Sequence, residues 1–149
     1  MTVKLGVGSC QQIAVGLPAT YDAAGFNALT WITLEQAETL GTIGGETTIG
    51  TFIPVKTGVV EKMAGSTDYG TQDIPFAEDE ADLGQPAFEA AFISKAKSSF
   101  RVLNAAGDAA RAYTGIVSSF TVDLGGADDT QMGSTTVAIN AAIITIAVP

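Results

Sequence analysis

Only one segment of the chain has the spacing of an amphipathic α-helix, and this scarcity is what most restricts the fold. The segment covers about residues 85–97, where Pro86 suits the first helical turn and Lys95 and Lys97 near the end complement the helix dipole. Its apolar stripe consists of Ala87, Phe88, Ala91, Phe92 and Ala96. Elsewhere, short runs of β-forming residues alternate with glycine and other turn residues. The sequence therefore predicts a mainly-β fold, a β-sandwich or partial barrel, with one flanking α-helix.

Three strands are predicted after this helix, at residues 99–105, 111–123 and 135–148. In the middle strand polar residues alternate with an apolar set, which indicates one buried face, and that set is Ala112, Ile116, Phe120 and Val122. In the last strand the apolar parity switches near Ala141, so either a bulge turns the strand over or both of its faces are covered. We predict a core in which Phe88 and Phe92 pack on the sheet that carries Ile116 and Phe120.

The stretch from about residue 41 to residue 80 has no helical period, and glycine recurs between its β-forming residues. It is either a long strand pair or a long projecting loop, and Pro54 restricts any strand there to an edge or a bulge. A connection of this length is unusual inside one compact domain. We therefore predict that this region mediates self-association, through its apolar residues Phe52, Ile53, Val55, Val59 and Val60.

The composition excludes several classes of function. The chain has no histidine, one cysteine, and 7 basic against 16 acidic residues. Without histidine it lacks the general base of a Ser-His-Asp triad and the commonest zinc ligand, and a lone cysteine forms no intramolecular disulfide. A net charge of −9 disfavours tight binding to nucleic acid, because affinity for phosphates depends on Lys and Arg. Charged residues are only 15% of the chain, so we expect another surface to cover part of its exterior.

No motif in the sequence carries a catalytic or metal-binding constellation. The acidic run at residues 78–82 lacks the spaced ligands of a calcium loop and is interpreted as a solvated cluster at the helix start. Residues 41–45 lack the lysine of a phosphate-binding loop, and Ser118 and Ser119 have no identifiable base. Cys10 has no basic neighbour in sequence that would activate its thiol. We therefore predict that the protein is not an enzyme and uses no cofactor or metal ion.

Targeting and membrane signals are also missing from the sequence. The longest apolar stretch, residues 141–148, is interrupted by Thr145 and is far shorter than the ~20 residues that a spanning helix needs. The first residues carry Gly6 and Gly8 where a secretory signal would be apolar. We expect a single domain over residues 1–149 that is made in a cytoplasm and does not enter a membrane.

A series of motifs follows residue 83. Gly84 and Gln85 open the helix, a strand covers residues 100–103, and a turn at residues 107–108 leads to the segment Tyr113-Thr114-Gly115-Ile116-Val117-Ser118-Ser119. A loop then precedes the final strand, Thr135-Thr136-Val137-Ala138-Ile139. In this order and spacing, residues 80–140 resemble the major tail tube protein of long, non-contractile-tailed (siphovirus-type) bacteriophages. The residues before this segment are compatible with that family without being diagnostic.

The resemblance implies a β-sandwich with one helix, assembled as stacked hexameric rings whose strands jointly form a barrel around a DNA channel. It implies that the partners are copies of this chain, together with a tape measure protein, a tail terminator and baseplate or tail-tip proteins. It places the protein in the virion tail after synthesis in the host cytoplasm, and we expect no C-terminal immunoglobulin-like extension. DNA would pass through without specific binding, helped by acidic lumen residues, for which the candidates are Glu46, Glu61 and Asp123.

Two other classes remain open at this stage. One is a different β-rich structural protein of a virion or secretion system, such as a tail terminator, a capsid decoration subunit or the inner tube of a contractile injection system. The other is an enzyme or a small-ligand-binding barrel, which the composition disfavours.

Overall fold

The computed structural model describes residues 3–149 of the chain. Its elements, in chain order, are β1 (Cys10–Val15), α1 (Ala23–Asn27), β2 (Ile32–Leu34), β3 (Glu46–Phe52), β4 (Glu61–Asp68), β5 (Thr71–Ala77), α2 (Gly84–Ser94), β6 (Ser98–Leu103), β7 (Ala109–Asp123), β8 (Met132–Ile139) and β9 (Ile144–Ala147). The predicted mainly-β fold with a helix near residues 85–97 is confirmed. Among the described residues no helix has the length and apolar character needed to cross a membrane.

Seven strands form one antiparallel sheet in the order β2-β1-β6-β7-β8-β5, with β9 paired to β7. This sheet curls so that its two end strands, β2 and β5, approach each other. The chain just after β2 forms an isolated bridge to β5, between Ala37 and Phe76. The Glu38 N–H also donates to the Pro75 carbonyl oxygen at 2.8 Å. The sheet is thus a partial barrel that is not closed by a continuous ladder. Strands β3 and β4 form a separate hairpin.

The main core fills the concave side of the curled sheet, under α2. The Phe88 ring of α2 lies 5.8 Å from Phe100, which in turn stacks on Tyr113 at 5.8 Å. Around these rings the core contains Ile13, Leu34, Ile74, Phe76, Ala91, Val117, Val137 and Ile139. The predicted packing of the helix on the sheet is therefore made chiefly by Phe88.

The other three residues assigned to the core lie at its margin or outside it. Phe92 is 36% exposed, because the buried face of α2 follows Gly84, Phe88 and Ala91 and leaves Phe92 on its flank. Ile116 is half-buried. Phe120 is also half-buried and packs on Phe76, with ring centroids 5.6 Å apart.

A second apolar cluster lies on the opposite face of the sheet and explains the irregular pattern of β7. There Phe26 of α1 packs on Ala110, Ala112 and Ile146. Helix α1 is capped by Asp22, whose side chain accepts a bond from the Gly25 N–H at 2.9 Å. The first half of β7 is therefore buried on both faces, and the prediction that β7 has only one buried face is wrong for this half.

Three predicted boundaries differ from the structure for local reasons. The helix ends at Ser94 rather than near residue 97, because Lys95 adopts a left-handed conformation (φ 57°). The predicted last strand is divided into β8 and β9, and this break is where the apolar parity switches. The region predicted as a loop or hairpin at residues 41–80 includes β5, which is an end strand of the main sheet with Ile74 and Phe76 fully buried.

A buried polar network joins strands from the two sides of the curl. The Gln72 Nε2 of β5 donates to the Gln11 Oε1 of β1 at 3.0 Å, and the Tyr113 hydroxyl donates to the Gln72 Oε1. All three side chains are fully buried. Burial raises the pKa of the Tyr113 phenol, so it stays neutral and available as a donor. These bonds connect β1 to β5 across the core although the two strands are not neighbours in the sheet.

Candidate assembly surfaces

The β3–β4 hairpin extends from the body with every one of its strand residues exposed. Its register runs from Glu46 opposite Asp68 to Phe52 opposite Glu61, with an irregularity near Thr48. The Thr47 and Thr67 hydroxyls share a hydrogen bond of 2.9 Å across the strands. The region is thus a strand pair that also projects, which combines the two alternatives left open by the sequence. An isolated two-stranded hairpin is marginally stable in water, so a surface that packs on it would stabilise it.

The far end of this hairpin, residues 52–60, collects the predicted self-association residues, and we call it the hairpin tip. A turn closes it through the Gly58 N–H and the Pro54 carbonyl oxygen, at 2.8 Å. Val55 at the apex is fully exposed, at 101%. The other apolar side chains of the tip are between about half and two-thirds exposed, and they are Phe52, Ile53, Val59 and Val60. A contiguous exposed apolar group of this kind marks an interaction surface.

Gly84 and Gln85, at the start of α2, hold the helix against the sheet. A Cβ on Gly84 would lie 2.5 Å from the Leu34 Cα and from the Thr33 carbonyl oxygen, so only glycine allows the helix to approach β2 this closely. The Gln85 Nε2 donates to the Ala77 carbonyl oxygen at 2.8 Å, and its Oε1 accepts from the Asp79 N–H at 3.2 Å. The pair therefore fixes the connection between β5 and α2.

Asp82 belongs to this structural motif and departs from the predicted solvated cluster. It is 2% exposed, and its carboxylate accepts four N–H bonds, from the backbone of Glu35, Gln36 and Gly84 and from the Gln85 side chain. Local sequence does not reveal this role of Asp82, because the donors from residues 35 and 36 are distant along the chain.

We expect Asp82→Ala to lower the free energy of unfolding by at least ~2 kcal/mol, because it leaves several buried N–H groups without an acceptor. The exposed neighbouring acid gives the control, Glu80→Ala, for which we expect a change within about 0.5 kcal/mol. Unfolding in guanidinium followed by circular dichroism measures both. Equal stabilities of the two variants would contradict the role assigned to Asp82.

The segment at residues 113–119 controls how β7 meets its neighbours. Tyr113 and Val117 face the main core, and a Cβ on Gly115 would lie 2.4 Å from the Ala138 carbonyl oxygen. Between Val117 and Ser119 the register shifts, so Ser118 is an extra residue in the ladder with β8. This bulge changes which alternate residues of β7 face the main core. Tyr113 and Val117 face the core before the bulge, and Phe120 packs against the core after it.

The second half of β7 has an unpaired edge. Gly115 pairs with Ser98 of β6 on one side and with Ile139 of β8 on the other. Because β6 begins at Ser98, residues 116–123 have no partner strand on that side among the described residues. Unpaired backbone groups along such an edge are a template for a strand of another chain.

The convex face of β5, β8 and the second half of β7 is lined by small, polar and acidic side chains. The register places Asp73, Thr136 and Ser119 in one row and Pro75, Ser134 and Thr121 in the next. Asp123 lies at the end of this face, and the Thr136 hydroxyl donates to the Asp73 Oδ1 at 2.8 Å. We call this surface the open face. No basic residue occurs on the paired strand segments that form it.

The three acids predicted to line a lumen are not brought together. Asp123 lies on the open face, whereas Glu46 is at the base of the hairpin and Glu61 is next to its tip. Asp73, which lies on the open face with Asp123, was not among the predicted lumen residues, because residues 71–77 were included in the loop or hairpin predicted at residues 41–80. The alternation of its neighbours, with Gln72, Ile74 and Phe76 buried, is the signal that would have found it.

The described residues contain no group of three or more Asp, Glu, Cys or His side chains placed to hold a metal ion. Burial raises the pKa of the Cys10 thiol, which keeps it protonated and unreactive near neutral pH.

Comparison with known proteins finds similar structures but no matching family model or curated sequence. The structure is similar to a chain in the tail of an empty GTA particle refined with helical C6 symmetry, with a TM-score of 0.69 and 14% identity over 95% of this chain and 98% of that one. It is similar to the SPP1 tail tube, with a TM-score of 0.64 and 13% identity over 96% and 78% of the two chains.

A third solved structure extends the likeness beyond these tails. A chain in the baseplate of the anti-feeding prophage matches with a TM-score of 0.63 and 7% identity, over 97% of this chain and 96% of that one. At such identities the likeness establishes the fold, and it does so over nearly the whole chain. The protein therefore has the fold of the SPP1 tail tube, as the resemblance in its sequence predicted, and it shares this fold with the GTA tail and anti-feeding prophage baseplate chains.

Proposed function

We propose that this protein is the structural subunit of a tail tube, assembling with copies of itself into stacked hexameric rings around a channel for DNA. The observation that carries the proposal is the β3–β4 hairpin, which is entirely exposed and ends in an apolar tip, on a fold shared with tail tube chains. A monomer gains nothing from such a projection, whereas a polymer buries it. The protein acts as a virion component in this role and not as an enzyme.

The unpaired edge of β7 supports lateral assembly. Residues 116–123 can accept a strand from the neighbouring subunit, and repeating this contact around a ring leaves no edge exposed. The open face then belongs to a continuous barrel. Facing inwards, its hydroxyl groups and the carboxylates of Asp73 and Asp123 present no cation to the DNA phosphates, so DNA is repelled rather than retained.

Electron microscopy of the purified protein tests the assembly. We expect concentrated protein to form hollow, open-ended tubes built from rings of six subunits. A protein that remains monomeric at all concentrations, or forms only closed single rings, would contradict a tube subunit. The expected partners at the ends and inside the tube are a tail terminator, a baseplate or tail-tip protein and a tape measure protein, and pull-down with assembled tubes tests these contacts.

Reversing the charge of the open face is expected to slow the release of DNA. In particles built with Asp73→Lys/Asp123→Lys, the new cations attract phosphates, and we expect ejection to slow at low salt and to recover as salt screens the attraction. Time-resolved measurement of released DNA at several salt concentrations gives the result. Glu61→Lys is the comparison: it is expected to leave ejection unchanged, because Glu61 lies on the hairpin. Slow ejection only in Glu61→Lys particles would assign the channel to the hairpin instead.

The inner tube of a contractile injection system is the second candidate, because the anti-feeding prophage chain shares the fold at almost the same TM-score. The two functions differ in what surrounds the tube. Microscopy of particles purified from producing cells distinguishes a bare tube from one enclosed in a sheath.

A further inference from the structure

An apolar groove with an acidic rim lies at the end of the body where β7 ends and α2 begins. It has a volume of ≈ 390 Å³, and its apolar lining comes from Phe76, Pro86, Phe120 and Val122. Four carboxylates surround it, those of Glu78, Asp79, Glu80 and Glu89, and no lysine or arginine is among the described residues that line it. Asp79 is engaged internally, with its Oδ2 accepting a bond from the Gln36 Nε2 at 3.1 Å. The side chains of Glu78, Glu80 and Glu89 are exposed.

The hairpin tip has complementary chemistry. Next to the fully exposed Val55 is Lys56, and Lys62 follows the tip on β4. These are two of only seven basic residues in a chain of net charge −9. The tip therefore combines an apolar apex with cations, and the groove combines an apolar floor with anions. Glu61 is the one acid beside the tip, and it points to the opposite face of β4 from Lys62.

The two surfaces also lie at opposite ends of the body. The hairpin joins the sheet at Thr71, the first residue of β5, whereas the groove lies near the last residues of β5, beside Phe76. These ends are ~20 Å apart along the strand at the usual rise per residue. A projection at one end and a recess at the other form a heterologous contact, which propagates from copy to copy and does not close as a dimer.

We propose that the hairpin tip of one copy docks into the acidic-rimmed groove of a second copy in the next ring. Val55 enters the apolar floor formed by Phe120 and Val122, and Lys56 pairs with Glu80 and Glu89 on the rim. The proposal rests on the proposed tube function and assigns the receptor surface for the hairpin. It also gives a role to the acidic side chains on the rim of the groove, because no group of acidic side chains among the described residues is arranged to hold a metal ion.

Charge reversal and its compensation test the docking. We expect Lys56→Glu to raise the protein concentration needed for tube formation by at least ~10-fold, because every subunit loses an attractive contact and gains a repulsive one. The complementary variant Lys56→Glu/Glu80→Lys/Glu89→Lys is expected to restore assembly towards the wild-type concentration. Lys97→Glu, the same charge change beyond the other end of α2, is the matched control and is expected to assemble normally. Sedimentation of tubes over a concentration series measures all four proteins.

A disulfide measures the contact directly and does not depend on charge. In a Cys10→Ser background, Val55→Cys with Val122→Cys is expected to give covalent oligomers on mild oxidation of assembled tubes, and each single-cysteine variant is not. Normal assembly by Lys56→Glu, failure of the complementary variant to recover, or tubes without intersubunit disulfides would each overturn the docking while leaving the tube function intact. A wild-type chain that never forms tubes would instead overturn the proposed function.

Discussion

Replacing residues 51–62 with a two-residue Asn-Gly turn is expected to abolish tube formation while leaving the body folded. Gly50 and Met63 pair directly across the hairpin, so a short type I′ turn can join them without changing the register below. The replacement removes the whole hairpin tip. Because every strand residue of the hairpin is exposed, we expect the free energy of unfolding to change by less than ~1 kcal/mol.

Two measurements separate assembly from folding in this variant. Electron microscopy is expected to show no tubes at concentrations where the wild type forms them, and thermal unfolding is expected to show a body of nearly unchanged stability. Thr57→Ala keeps the tip and its apolar side chains, and it serves as the control that still assembles. Tubes of normal length from the shortened chain would show that the hairpin is not a contact between rings.

Replacing the core aromatic residue of α2 is expected to have the largest effect on stability. Phe88 is fully buried between the helix and the ring of Phe100, so Phe88→Ala removes a complete aromatic side chain and leaves a cavity. We expect a loss of about 3 to 5 kcal/mol in the free energy of unfolding. Guanidinium unfolding of the variant under conditions where the protein is monomeric measures this loss.

Phe92 provides the matched control because it carries the same side chain on the same helix, one turn later. It is 36% exposed, so we expect Phe92→Ala to cost less than Phe88→Ala by at least ~1.5 kcal/mol in the monomer. Equal losses for the two variants would mean that α2 buries Phe92 as deeply as Phe88. A loss of assembly in Phe92→Ala alone would indicate that its exposed part contacts another subunit.

Much of the fold follows from local patterns in the sequence. The position of α2 is set by its apolar stripe and by Pro86, and the strands after it follow from β-forming residues separated by turns. The projecting region was predicted because residues 41–80 have glycine recurring between β-forming residues and no helical period. A connection of this length is unusual inside one compact domain. Its apolar residues at positions 52–60 are indeed exposed.

The errors share one physical cause, which is that burial is decided by segments distant along the chain. Residues 71–77 were included in the projecting region, yet β8 pairs with all seven of them and makes β5 a core strand. Asp82 was assigned to solvent, yet the backbone of residues 35 and 36 surrounds it with N–H groups. Phe92 was assigned to the core, although the helix buries the neighbouring face.

The sequence by itself determined the mainly-β class, the single long helix, the exposed hairpin tip and the absence of histidine-based chemistry, because each depends on residue type and local spacing. Only the tertiary structure decided the curl of the sheet, the unpaired edge of β7, the open face with Asp73 and Asp123, and the groove opposite the hairpin. Each of these surfaces is built from strands that are far apart in sequence, and their juxtaposition depends on pairing registers and on the bulge at Ser118. Local propensity does not encode such long-range geometry.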